Sequence, residues 1–519
     1  MGYLEIEDAH FTSRPSIHCG GLGTIRPASP SASPRQAIRN PPLDFARYNP
    51  QSAPRLRSGL SAIRNPQSTA PNARPIANPH GVEYRDMSMD RKLLIIDVAA
   101  LGWDLLQRHD RCRLEGLSFA SAEAVFPAVT CTAQASFRTA RAPAEHGMVA
   151  NGLYFPELRK AMFWEQASAL VAGERIWSGL RRAGGKAAML FWQQSMGEQV
   201  DIVMTPAPIH KHHGGMIQDC YCRPEWLYRD ACEAIGSAFK LRQYWGPLAS
   251  AKVGDWMARA TARVMTDPRL APDLCMTYLP TLDYDLQRHG PHGPAAAKAL
   301  DILAGQLRVI LQAAGLGGYE TIIFGDYAIA PTSGPAVLPN LALAQAGLLA
   351  TRNVRGMLYP DFHTSRALAI VDHEIAHVHT ADAAATAEAR QVLEATPGIA
   401  EVLDAGAQGS RGLCCPRSGQ LVAVAAEGTW LAYPWWADSN QAPDYARHVD
   451  IHSKPGFDPC ELFFGWPPMG TSLDTSRIRG SHGRVGPGRE IAWASTLDFP
   501  CKPASLLDLA GQVKRILDE

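Results

Sequence analysis

The stretch Lys92–Ala100, KLLIIDVAA, constrains the chain most. A continuous apolar run closed by an acid and then by Gly102 reads as a central strand of a parallel sheet, covered on both faces. Two more runs behave alike: Asp273–Pro280, followed by Asp283, and Tyr319–Tyr327, which carries Asp326. Ala187–Trp192 reads as a further strand, and Ala295–Ala314 carries Leu300, Ile302, Leu303, Leu307 and Leu311 at helical spacing. Strand and helix alternate, which predicts an α/β fold with a doubly wound, mostly parallel sheet and helices on both faces. Ligands of such sheets collect at the carboxyl ends of the strands. Asp97, Asp283 and Asp326 are therefore expected at three strand ends along one edge.

The rest of the chain divides by composition. Residues 9–82 hold nine arginines, no lysine and one acid, Asp44, and repeat the phrase AIRNP at 37 and 62. Such a stretch buries too little apolar surface to offset its ordering entropy. The expectation is a disordered Arg/Pro/Ser-rich leader over 1–88, with a transit-like peptide as the alternative, and a catalytic domain over 89–519. Within that domain, residues 152–274 combine polar loops with Trp164, Trp177, Trp192, Trp226 and Trp245, which suggests a helix-rich, cap-like insertion. Lys and Arg total 50, as do Asp and Glu, so net charge argues for neither nucleic acid nor an anionic membrane. No run of about 18 apolar residues predicts a membrane span. An odd count of 11 cysteines in a long chain whose first residues include acids suits reduced thiols in a cytoplasm.

Thr130 is the candidate nucleophile. It lies three residues after Pro127, where a loop enters a helix-like run. A hydroxyl there is accessible, and the helix N-terminus offers N–H groups and a positive dipole end to an anion. The segment His373-Glu-Ile-Ala-His377 superficially resembles the HExxH zinc-protease motif, but its β-branched surroundings suit a strand and not the helix that motif needs.

The ordered set resembles the type I phosphodiesterase/nucleotide pyrophosphatase family of the alkaline phosphatase superfamily, over about residues 90–490. Thr130, Ser136, Thr139, Pro143, His146-Gly147 and Asn151 keep the order of the family's nucleophile block. Asp283 before Gly290-Pro291 fits its second metal acid, and Gly480-Ser-His482-Gly its last metal histidine. The resemblance implies an alkaline-phosphatase-like fold and a metal-dependent hydrolase of a nucleotide-like or other small phosphoester. Two divalent ions about 4 Å apart, zinc first and Mn, Mg or Fe as alternatives, would flank the phosphoryl group. A phospho-threonine intermediate would form on Thr130. Carried over, Asp97, Thr130 and Asp326 make one metal site and Asp283 and His482 the other, with His146 and Asn151 toward substrate.

This chain departs from the family at three places. Gln287 and Tyr327 stand where the family has metal-ligating histidines, and Ala133 where it often has an asparagine that stabilises the phosphoryl oxygens. A carboxamide and a phenol are poorer zinc ligands than imidazole. His373 and His377 are the replacement candidates within one segment, and Asp285, His289 and His452 are also unplaced. A monoesterase, phosphonate hydrolase or phosphomutase would share these features, and so would a catalytically weak protein that binds a phosphorylated metabolite.

Overall fold

The structure, a computed structural model, describes residues 92–213, 215–466 and 468–519. The leader expected over 1–88 lies outside the described residues. In chain order the strands of the two larger sheets are β1 (Lys92–Val98), β2 (Ala120–Ala122), β3 (Ala187–Leu190), β4 (Ile202–Pro206), β5 (Cys220–Arg223), β6 (Leu274–Leu279), β7 (Tyr319–Gly325), β8 (Ala367–Asp372), β9 (Ile375–Thr380), β10 (Ile399–Leu403), β11 (Leu421–Ala425) and β12 (Ile491–Ser495). The helices that shape the site are α1 (Thr130–Thr139), α2 (Lys252–Thr266), α3 (Thr281–His289), α4 (Pro294–Gly317) and α5 (Leu506–Asp518).

The eight-stranded sheet runs β5-β4-β3-β6-β1-β7-β12-β2. Its five inner strands, β4 to β7 in that order, are parallel, and β5, β12 and β2 are antiparallel to their neighbours. Leu93 to Val98 are all buried, as a strand covered on both faces requires. Register places Asp97 level with Tyr278 of β6 and Phe324 of β7. The three strands therefore end together, and whatever follows them shares one edge.

Two helix groups flank the sheet. α5 packs on α1, while α2 and α3 pack on α4. Phe137 of α1 stacks on Phe324 of β7 at 4.3 Å between ring centroids. α4 starts with Pro294 in its first turn and ends before Gly318 at φ +70°, the usual asymmetry of helix ends. Among the described residues it is the one helix long and apolar enough to cross a membrane, with a mean hydropathy of 1.3. Its Ala296, Ala299, Leu300, Leu303, Leu307 and Ile310 are buried in the core.

Residues 152–274 correct one expectation. They are not a helical cap beside the sheet, because they supply β3, β4 and β5. Helical character returns in Leu227–Ile235 and in α2. The separate structural layer is instead the four-stranded antiparallel sheet β8-β9-β11-β10. Its β8–β9 hairpin turns at His373-Glu374, between the paired Asp372 and Ile375. HEIAH is thus a turn and a strand.

Candidate active site

α1 begins at Thr130, and its N-cap is Val129 in extended backbone without a side-chain cap. The Thr130 hydroxyl is free of capping duty and lies near enough to the Asp326 carboxylate to oppose the rise of its pKa. Asp326 follows β7 directly because Gly325 lets the chain pass β1: a Cβ there would lie 2.2 Å from the Leu101 carbonyl oxygen. Ala100 N then donates to Asp326 Oδ1 at 3.1 Å. Asp97 is fully buried near the end of β1, and Gln134 Nε2 donates to its Oδ2 at 2.7 Å. Asp97 Oδ1 and Asp326 Oδ2 are buried without a hydrogen-bond partner. Burial pushes the Asp97 carboxyl up to about 8, against the Gln134 bond and the Arg138 charge. Burial, and then the charge of Asp97, hold Asp326 well above the usual carboxylate range. Two buried carboxyls that raise each other's burden of charge thus lie near the Thr130 hydroxyl, each with an oxygen that has no donor.

Gln134 and Arg138 escaped the sequence reading. They lie four and eight residues after Thr130, on one stripe of a wholly buried helix. Gln134 Oε1 accepts from Gln193 N at 2.7 Å. Arg138 donates to the carbonyls of Gln193 and Gln194 and pairs with Glu198 at 3.6 Å. The signal was available: two long polar side chains at period four among small residues. Ala133 presents only a methyl group, and the neighbouring carboxamide of Gln134 is directed at Asp97.

The second half is built differently. Asp283 is the third residue of α3 and not a strand-end acid. Gln287, one turn later on the same face, donates from Nε2 to Asp283 Oδ2 at 2.7 Å. The Tyr327 hydroxyl donates to Asp283 Oδ1 at 2.8 Å. Both carboxylate oxygens are occupied by the two residues that replace histidine. Burial raises the Asp283 carboxyl to about 6, and these two bonds oppose the rise.

His482 is carried beside this point by a glycine-flanked segment. A Cβ on Gly480 would meet Leu286 O at 2.4 Å, and Gly483 sits at φ +125°. His482 is fully buried, its Nδ1 is 2.8 Å from Ala128 O, and its Nε2 has no partner. Its ring stacks on Tyr327 at 3.5 Å and lies 3.7 Å from His373. His373 Nδ1 is 2.8 Å from Asp372 Oδ1, and burial pushes the imidazole down to about 3.

The remaining candidates have internal duties. Asn151 donates from N and Nδ2 to Asp372 at 2.7 and 3.1 Å, and its Oδ1 accepts from Cys131 N at 3.0 Å. It ties the start of α1 to Asp372. His146 is held by Ser136 Oγ at 2.9 Å and Met148 N at 3.1 Å, which leaves neither ring nitrogen for a substrate. His377 has Ser418 O at 2.9 Å and Val149 O at 3.1 Å, so a backbone carbonyl faces each ring nitrogen. His289 and His452 are exposed, and Asp285 pairs with Arg288 at 3.8 Å.

The model of the type I phosphodiesterase/nucleotide pyrophosphatase family matches residues 93–458. The chain belongs to that family. Family membership places it among phosphoric ester hydrolases that depend on metal. Among solved structures it is similar to phosphonoacetate hydrolase from Sinorhizobium meliloti 1021 in complex with phosphonoformate, with a TM-score of 0.55 and 14% identity over 82% of this chain and 96% of that one. It is also similar to an inactive form of murine ectonucleotide pyrophosphatase/phosphodiesterase 5 in complex with AMP, with a TM-score of 0.52 and 14% identity over 83% and 95% of the two chains. The human form of the latter gives a TM-score of 0.52 at 14% identity over 82% and 95%. At this identity the likeness is one of fold. No curated protein sequence matches.

The site fits the family's metals only in part. Among the described residues no group of three or more His, Cys, Asp or Glu side chains is arranged to hold an ion. Asp97 and Asp326, each with an unpartnered oxygen, and the Thr130 hydroxyl form an oxygen set suited to one hard divalent cation. Asp283 is a poorer seat for a second, because Gln287 and Tyr327 already donate one hydrogen bond to each of its carboxylate oxygens.

Proposed function

We propose that this chain hydrolyses a small phosphoester or phosphonate by attack of the Thr130 hydroxyl on phosphorus. The observation that carries this reading is the placement of Thr130 at the first position of α1, with the buried carboxyls of Asp326 and Asp97 close by. A divalent cation bound by Asp97, Thr130 and Asp326 would supply the charge that stabilises an alkoxide and an anionic phosphoryl group. Asp326 orients the hydroxyl, and the α1 N-terminus favours negative charge at the phosphoryl oxygens. A bond forms between Thr130 Oγ1 and phosphorus while the bond to the leaving group breaks. Water then cleaves the phospho-threonine and regenerates the hydroxyl.

A nucleotide-like substrate is supported by the family's own description. A second reading, a weakly active binder of a phosphorylated metabolite, is favoured by the donors that Gln287 and Tyr327 place on Asp283.

The deciding assay loads the protein with Zn, Mn, Mg and Fe in turn. Hydrolysis of an aryl phosphodiester, the matching monoester and an aryl phosphonate is compared with Thr130→Ala alongside. Metal-dependent turnover that disappears in the variant supports the hydrolase. Folded protein that turns over none of them with any metal rejects it and moves the chain to the binding reading.

A further inference from the structure

The groups of the candidate site are closed off from solvent. Asp97, Asp326 and His482 are fully buried, and Thr130 and Asp283 are only 3% and 8% exposed. A substrate that is to reach Thr130 therefore needs part of the protein to move. The parallel strands and α1 are the packed centre of the molecule, where opening amounts to global unfolding.

The segment 240–250 is built differently. It follows the helix Leu227–Ile235 and its cap Gly236, contains the short helix Leu241–Tyr244, and runs into the start of α2. There Gln306 Nε2 fixes Ala251 O at 2.9 Å. Among the described residues, the backbone-to-backbone hydrogen bonds of 240–250 are local. Gln243 N donates to Lys240 O, Trp245 N to Leu241 O, Ala249 N to Gly246 O and Ser250 N to Gln243 O. Lys240, Arg242 and Leu248 are exposed. A stretch held by local bonds, with one face in water, opens at lower cost than the sheet does.

Side chains fasten this segment to both halves of the site. Gln193 Nε2 donates to the Tyr244 hydroxyl at 3.2 Å, and Gln193 N donates to Gln134, which holds Asp97. Burial raises the pKa of the Tyr244 hydroxyl, and Cys131 and Asp283 lie near enough to add to the rise. Trp245 lies 5.0 Å from Phe457 between ring centroids. From Phe457 a row of rings continues through His373 and His482 to Tyr327, at 4.0, 3.7 and 3.5 Å. Trp245 Nε1 also donates to Glu461, and Arg288 of α3 donates to Ala249 O at 2.9 Å.

We infer that residues 240–250 are a strap that closes the active site, latched by Tyr244 on Gln193 and by Trp245 on Phe457 and Glu461, and that it swings away to admit substrate. What the strap admits rests on the hydrolase reading, and the strap itself does not.

The test follows amide hydrogen exchange of the full chain by mass spectrometry, together with alkylation of Cys131 by iodoacetamide, read on its own peptide. Cys131 is fully buried beside Thr130. In the wild type, amides of the strap are expected to exchange at least about 100-fold faster than those of β1 and β7. Tyr244→Phe takes the acceptor from Gln193, and strap exchange and Cys131 alkylation should rise together by roughly 2- to 10-fold. Trp245→Ala should raise both by more than about tenfold, with β1 and β7 unchanged. Strap amides as slow as those of β1 overturn the strap, and so does Cys131 alkylation that ignores both substitutions. A rise shared equally by β1 is global loosening and also counts against it. These exchange results without turnover of any phosphorus substrate keep the strap and remove the hydrolase reading.

Discussion

The two halves of the site answer the same problem in opposite ways. Around Thr130, Asp97 and Asp326 crowd together with an open oxygen each, and burial raises both carboxyls. Around Asp283, one helical turn brings a carboxamide and β7 brings a phenol, and the carboxylate has donors on both oxygens. The first half leaves carboxylate oxygens open, whereas donors reach both oxygens in the second. The comparison teaches that Gln287 and Tyr327 do more than omit two imidazoles, because both donate to the acid beside them.

The first half should govern rate and the second stability, and four measurements can break that division. The largest effect is expected from Thr130→Ala, which should lower kcat/KM on an aryl phosphodiester by at least about 10⁴-fold with little change in the unfolding midpoint. Turnover within tenfold of wild type would place the nucleophile elsewhere. Phe137→Ala removes the ring that seats α1 on Phe324, and should cost about 3–5 kcal/mol in urea unfolding. A smaller loss would mean that α1 is held by Gln134 and Arg138 instead. Tyr327→Phe leaves Asp283 Oδ1 without its donor and should cost about 1–3 kcal/mol. No loss would show that the second half is not the brace described above. Arg111→Ala breaks an exposed pair with Asp301 at 2.9 Å, far from both halves, and should cost less than about 1 kcal/mol. A larger effect would show that the stability readout is not local.

Much of the frame was legible. The runs at 92, 273 and 319 became β1, β6 and β7, because an uninterrupted apolar strand has no stable place except a doubly covered sheet. Thr130 fell at the start of a helix as its spacing required. The failures share a cause, which is that sequence gives a residue's type but not its partners. Asp283 was expected at a strand end and lies in a helix, since Thr281 starts α3 two residues after β6 ends. The partners of His146, Asn151 and His377, which are Ser136, Asp372 and two backbone carbonyls, were likewise not legible. Ala187–Trp192 read as a strand, but residues 202–223 looked like part of a cap because short strands among polar loops carry little periodicity. Asp372 drew no notice as the acid that holds both Asn151 and His373.

The bonds from Gln287 and Tyr327 to Asp283 also bear on the order in which the protein matures. A brace made of side chains is complete as soon as α3 and β7 meet, whatever ions the surroundings supply. A chelator should then silence this chain without unfolding it, and a newly made copy can wait, fully folded, for its cation.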